Sequence, residues 1–132
     1  MAISDYMHYT YVRDARGDDG KTIDCWGLVR LVWERELGKP QLPLFSGVMK
    51  PKELTRYYED AKSGFTGCEP RHGVIAACFQ SRLCTHVGIV LEIDGQLRVL
   101  DINENQQVAH HPLRKFCQKF TTVIFYDYQD LP

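Results

Sequence analysis

Apolar residues recur at Leu28, Val29, Val32 and Trp33, spaced by threes and fours, while Arg30, Glu34 and Arg35 fall on the other side. That period predicts an amphipathic helix from Cys25 to Leu37, capped by Asp24 and ended by Gly38 and Pro40. Before it, Asp14 to Lys21 sets Gly17 and Gly20 among charged residues and reads as an irregular loop leading to the cap. Glu53 to Lys62, of mixed polarity, is assigned a second helix. Farther along, β-branched and aromatic residues dominate, and strands are expected over Gly73 to Phe79, His86 to Ile93, Gln96 to Ile102 and Thr122 to Tyr128. Asp94-Gly95 is a strong signal for a two-residue hairpin turn. A helix followed by an antiparallel sheet is an α+β order.

The hairpin fixes a register that later matters for chemistry. A turn at Asp94-Gly95 pairs Ile93 with Gln96, and the continued ladder sets Gly88 opposite Asp101 and His86 opposite Asn103. Residues directly opposite share a face, so both polar candidates lie on the face of His86. Gly88 is expected to keep that face clear for the helix beginning at Cys25, and Gly27 to serve the same approach from the helix side.

Composition places these elements in one domain over residues 1–132, because 132 residues with 44% hydrophobic content can bury one core. No apolar run approaches the roughly 20 residues that span a bilayer, so no membrane insertion is expected. Met1-Ala2-Ile3-Ser4-Asp5 lacks the basic start and apolar centre of a secretory signal, which points to synthesis in the cytoplasm. Five cysteines without CxxC pairs favour reduced thiols over a disulfide framework. A formal net charge of −1 gives no reason to expect nucleic acid.

Candidate chemistry begins at Cys25, which directly follows the capping Asp24. The unpaired N–H groups and positive dipole end of a helix start favour a thiolate there, making Cys25 the leading nucleophile. His86 opens the apolar run Val87-Gly88-Ile89-Val90-Leu91 and is the candidate base. Asp101 and Asn103 are both candidates to orient its ring, and a carboxylate in that role would fix the tautomer and stabilise the imidazolium. His8, His72, His110 and His111 read as structural residues, with His110-His111 in a solvated loop. Cys68, His72, Cys84 and His86 match no common zinc spacing, so neither metal nor cofactor is expected. Cys78 and Cys117 read as thiols without a task. Tyr57, Tyr58, Phe125, Tyr126 and Tyr128 read as packing residues rather than a nucleic-acid platform.

Asp24-Cys25-Trp26-Gly27-Leu28-Val29 and His86-Val87-Gly88-Ile89-Val90 resemble, in order, the two motifs of the NlpC-type cysteine peptidases. These bacterial cell-wall hydrolases typically read Asp-Cys-Ser-Gly-Leu-Val and His-Val-Gly-Ile-Tyr. Trp26 stands in place of the serine. Together with Leu28 to Val32, Glu36-Leu37-Gly38 and Leu42-Pro43, it is similar to the branch encoded among phage tail genes. The likeness runs from about Tyr11 to about Tyr126, with no motif between Pro51 and Arg71.

The resemblance implies a papain-like NlpC fold, with N-terminal helices packed on a central antiparallel β-sheet. It puts the third polar residue at the end of Val99-Leu100-Asp101, where the family more often has histidine. It assigns Tyr11, or alternatively Tyr9, to bind substrate or the oxyanion, with the Cys25 backbone N–H as a second donor. The implied reaction is hydrolysis of an amide bond in peptidoglycan stem peptides through a thioester, with no cofactor. The implied partners are that stem peptide and phage tail-tip proteins, in a virion tail acting in the periplasm or at the cell wall. Alternatives are a structural tail assembly module with little or no catalysis, a papain-like amidase, acyltransferase or deamidase, and a secreted antibacterial effector.

Overall fold

In the computed structural model, residues 3–39, 42, 64–81 and 83–128 are described. Helix α1 spans Cys25–Leu37, as its apolar period predicts. Its start is fixed by Asp24, whose extended backbone lets Oδ1 accept the Gly27 N–H at 2.7 Å. Its end is fixed by Gly38, which takes the left-handed conformation at φ 59° that a side chain would disfavour. The helix expected over Glu53 to Lys62 lies outside the described residues.

Two short strands precede α1, β1 at Thr10–Tyr11 and β2 at Thr22–Ile23, paired in parallel so that Tyr11 lies beside Ile23. The loop between them is irregular as expected and turns through Gly17 and Gly20 at positive φ. A single 3₁₀ turn at Ile3–Asp5 comes earlier still.

The main sheet contains β3 (Phe65–Cys68), β4 (Ile75–Gln80), β5 (Leu83–Ile93), β6 (Gln96–Asp101), β7 (Ala109–Pro112) and β8 (Thr122–Tyr128). Their order is β3-β8-β4-β5-β6-β7, with antiparallel pairing throughout. Helix α2, Leu113–Gln118, connects β7 to β8. The architecture is α+β, with a six-stranded antiparallel sheet and, among the described residues, two α-helices.

Alternation along the strands divides the core in two. Ile75, Ala77, Val87, Ile89, Leu91 and Leu100 point to one side, where they meet α1 through Leu28, Val29, Val32 and Trp33. Val74, Ala76, Cys78, Val90 and Val99 point to the other, where they meet Phe116 of α2. Each fully buried large apolar side chain contributes about 1.5–3 kcal/mol relative to exposure, so α1 is held chiefly by its buried face.

The hairpin forms as read. Asp94 and Gly95 both have positive φ, at 52° and 79°, as a type I′ turn requires, and Ile93 pairs with Gln96 through to Ile89 with Leu100. Beyond Ile89, Gly88 still lies against Asp101, since a Cβ there would be 3.3 Å from the Cβ of Asp101.

The glycine roles differ from expectation. A Cβ on Gly88 would meet Val99 Cγ1 at 2.7 Å and Leu100 O at 3.0 Å, so Gly88 admits strand β6 rather than helix α1. A Cβ on Gly27 would meet the carbonyl of Ala15 at 2.7 Å, so Gly27 admits the loop before the cap. Parity explains the first correction: His86 and Gly88 face the α2 side, while Val87 and Ile89 face α1.

Strands β3 and β7 and helix α2 were not legible. Ala109-His110-His111-Pro112 lacks a β-branched alternation and is a strand because β6 offers it a pairing edge. His110 and His111 are therefore half-buried on a strand, not in a solvated loop. Strand β5 also begins three residues early, at Leu83.

Candidate active site

Cys25 is the first residue of α1, 6% exposed and held in place by its neighbour. Asp24 is 3% exposed, and its carboxylate is fully engaged. Oδ1 takes the Gly27 N–H, while Oδ2 accepts from Arg16 Nη1 at 2.8 Å and from the Asp14 N–H at 3.1 Å. The Asp24 N–H in turn donates to the Ala15 carbonyl at 2.9 Å. The aspartate in front of the thiol thus ties the helix start to the preceding loop, and the position of Cys25 follows from that tie.

His86 reaches its place through an irregularity in β5. Cys78 pairs with His86, but the next residue of β4, Phe79, pairs with Cys84, leaving Thr85 as the extra residue of a bulge. The Thr85 hydroxyl donates to the Cys78 carbonyl at 3.4 Å. The extra residue reverses the alternation, so Cys84 packs into the α1 core while His86 turns its ring toward α2. There the ring stacks on Phe120, with centroids 5.7 Å apart and an interplanar angle of 18°, and lies 6.4 Å from Phe116.

The ring nitrogens divide between two partners. Nε2 lies 2.8 Å from Asp101 Oδ2; because an ionised carboxylate only accepts, Nε2 carries the proton and donates it. Cys25 is near enough to act on the same ring, and with Nε2 committed to Asp101, Nδ1 is the nitrogen left for its thiol. Burial opposes the imidazolium, but the hydrogen bond to Asp101 and the nearby Cys25 side chain, together with the charges of both, outweigh it and raise the His86 pKa to about 9. His86 is 8% exposed and Asp101 2%.

Asp101 reaches His86 diagonally across the hairpin, passing the position where Gly88 has no side chain. Asn103 stands behind this pair. Its Nδ2 donates a long 3.5 Å bond to Asp101 Oδ2, and the bond to His86 is made by the aspartate.

The two tyrosines separate by burial. Tyr9 is 2% exposed, packed in the α1-side core and stacked on His8 at 4.3 Å. Tyr11 is half-buried, and its phenol pKa is raised by burial first and then by the nearby charges of Cys25, Asp24 and Glu104. Parallel pairing of β1 with β2 sets Tyr11 beside Ile23, two residues before Cys25, which explains that proximity. Trp26 is fully buried, its ring 6.4 Å from Phe65, so it belongs to the core.

Three features of this cluster went unread in the sequence. Phe116 and Phe120, four apart, form the floor under His86, and that spacing was a usable helical signal. The Thr85 bulge and the Arg16 contact with Asp24 carry no local signal, since both depend on residues brought together by folding.

The arrangement can do specific chemistry. A thiol at a helix N-terminus lies near an imidazole whose Nε2 is bound by a buried carboxylate, the grouping that a base-activated nucleophile requires. Among the described residues, no group of three or more His, Cys, Asp or Glu side chains is gathered to hold a metal ion. Among the described residues no helix is long and apolar enough to cross a membrane. No family model, curated protein or solved structure matches the chain.

Proposed function

We propose that the protein is a cysteine peptidase of the NlpC type with a papain-like fold, hydrolysing an amide bond in peptidoglycan stem peptides. One observation supports this reading above the others. His86 stands near enough to Cys25 for the two to act on each other and is bonded through Nε2, at 2.8 Å, to a buried carboxylate.

In this mechanism Cys25 Sγ attacks the scissile carbonyl while His86 holds the thiol proton. The tetrahedral oxyanion is met by the Cys25 backbone N–H and the Tyr11 hydroxyl. His86 then gives its proton to the leaving amine, forming the thioester. Water enters, loses a proton to His86, and attacks the thioester to release the acid. Asp101 keeps the ring in one tautomer throughout and stabilises its charged form. The resemblance of Trp26, Leu28 to Val32, Glu36-Leu37-Gly38 and Leu42-Pro43 to the branch encoded among phage tail genes supports a tail-associated enzyme localised by neighbouring tail-tip proteins.

The test is incubation with purified peptidoglycan and mass spectrometry of the soluble products. New amine and carboxyl termini within the stem peptides are expected from the unaltered protein and not from Cys25→Ala. Stem peptides left uncut by both proteins would overturn the proposal.

A further inference from the structure

Asp101 has two carboxylate oxygens, and the reaction proposed above uses only one. Oδ2 accepts from His86 and Asn103. Oδ1 is buried and has no hydrogen-bond partner among the described residues. A buried carboxylate oxygen left without a donor costs free energy, so such an atom calls for an explanation.

A donor within reach is His111. Its Nε2 lies 3.9 Å from Asp101 Oδ1, too long for a hydrogen bond but within a small side-chain adjustment of one. The sheet puts it there by register. His111 pairs with Val99 across β6 and β7, and opposite residues share a face, so His111 lies on the same face as Val99 and, two residues along, Asp101. Its side chain is 30% exposed, whereas that of Asp101 is 3% exposed. The ring is thus partly open to solvent while the carboxylate beside it is not.

The other groups around it favour the neutral ring. Burial lowers the His111 pKa, and the positive charges of Lys119 and Arg98 act in the same direction, with Asp101 opposing. The neighbouring His110 is occupied elsewhere, because its Nδ1 accepts from Arg98 Nε at 2.7 Å. A neutral imidazole protonated at Nε2 would supply Oδ1 with the donor it lacks, without setting a second positive charge beside the His86 imidazolium.

The geometry points to His111 as a positioning residue that donates from Nε2 to Asp101 Oδ1, extending the chain Cys25–His86–Asp101 by a fourth member on β7. Its role in turnover rests on the peptidase reading, but the hydrogen bond itself does not. With both oxygens held, the carboxylate cannot rotate away from His86. The donor also withdraws charge from the carboxylate and tempers its pull on the His86 proton.

The experiment joins imidazole NMR to kinetics. In the unaltered protein, nitrogen shifts should show His111 as the neutral Nε2–H tautomer near pH 7; the Nδ1–H tautomer would overturn the assignment. His111→Ala should raise the titration midpoint of His86, and His111→Gln, which restores an amide donor, should return it toward the starting value. On peptidoglycan fragments, His111→Ala should lower kcat about 10-fold with KM unchanged, with recovery in His111→Gln. An unmoved His86 midpoint in His111→Ala sinks the inference, as does a His111→Gln variant as impaired as the alanine. If the unaltered protein cleaves nothing, the peptidase reading fails, while the tautomer and the His86 midpoint still decide the role of His111.

Discussion

Gly88 and Asp101 are matched across the hairpin, the absent side chain of one making room for the carboxylate of the other. A Cβ at position 88 would sit 3.3 Å from the Cβ of Asp101, 2.7 Å from Val99 Cγ1 and 3.0 Å from the Leu100 carbonyl. The last of these is backbone and cannot swing aside. Gly88→Ala should therefore force β5 and β6 apart and destabilise the fold by about 1–3 kcal/mol, the usual cost of overpacking. Urea denaturation would show it as a lowered midpoint. A midpoint equal to that of the unaltered protein would mean that the strands absorb the methyl group and the close fit is not required.

Asp101 and Asn103 share the histidine's face, and their substitution separates orientation from support. Asp101→Asn keeps the shape but loses the acceptor that fixes the tautomer, so kcat should fall on the order of 10⁴-fold, as for the equivalent change in a serine protease triad. Asn103→Ala removes only a 3.5 Å bond to the aspartate and should cost far less. Kinetics on a stem-peptide substrate would rank the two, and the opposite ranking would assign the orienting role to Asn103.

The parts of this site that were legible in sequence are those set by short-range rules. Asp24 and Gly38 bound α1 because a cap side chain and a left-handed glycine act within a few residues. Asp94-Gly95 fixes the hairpin register, and that register alone brings Asp101 and Asn103 onto the face of His86. What was illegible depends on partners distant in the chain. The Thr85 bulge exists relative to β4, and the strand status of His111 exists relative to β6. For Gly88, strand parity gives a face but not what packs on it, which is β6 rather than α1.

The raised pKa of His86 has a direct consequence for pH. A histidine whose folded value exceeds its unfolded value stabilises the fold in its protonated form. That contribution is complete below about 6.5, the unfolded value, and is lost as pH rises through about 9. Stability should therefore decline across this window, and Asp101→Asn should flatten the decline. Turnover should fall on the same alkaline limb, since the leaving amine needs the imidazolium proton. Cys25 is one of the groups that raise the His86 value, so Cys25→Ala should move the His86 midpoint down when followed by NMR. A His86 midpoint near 6.5 in the unaltered protein would contradict the ion pair.

Asp24 holds the helix start through both oxygens, and its removal should cost more than a cap. Asp24→Ala deletes the bonds from Gly27, Arg16 and the Asp14 N–H together. Losing a cap alone costs about 1 kcal/mol, whereas breaking a buried ion pair costs about 3–5 kcal/mol. Asp24→Asn, which retains an acceptor for Gly27, should fall between the unaltered protein and the alanine variant in thermal denaturation. Equal stability of Asn and Ala would assign nearly all of the effect to the charge.

Tyr11 and Tyr9 make the last contrast, because burial gives them different work. The Tyr11 phenol is near enough to feel the charge of Cys25, while Tyr9 is enclosed in the core. If the Tyr11 hydroxyl meets the oxyanion, Tyr11→Phe should lower kcat by about 10²-fold with little change in stability, the loss typical of one oxyanion donor. Tyr9→Phe should leave kcat near its starting value. Single-turnover kinetics would locate the Tyr11 effect in thioester formation, where the negative charge first develops. A Tyr11→Phe variant with full kcat would leave the Cys25 N–H without this side-chain partner and remove Tyr11 from the reaction.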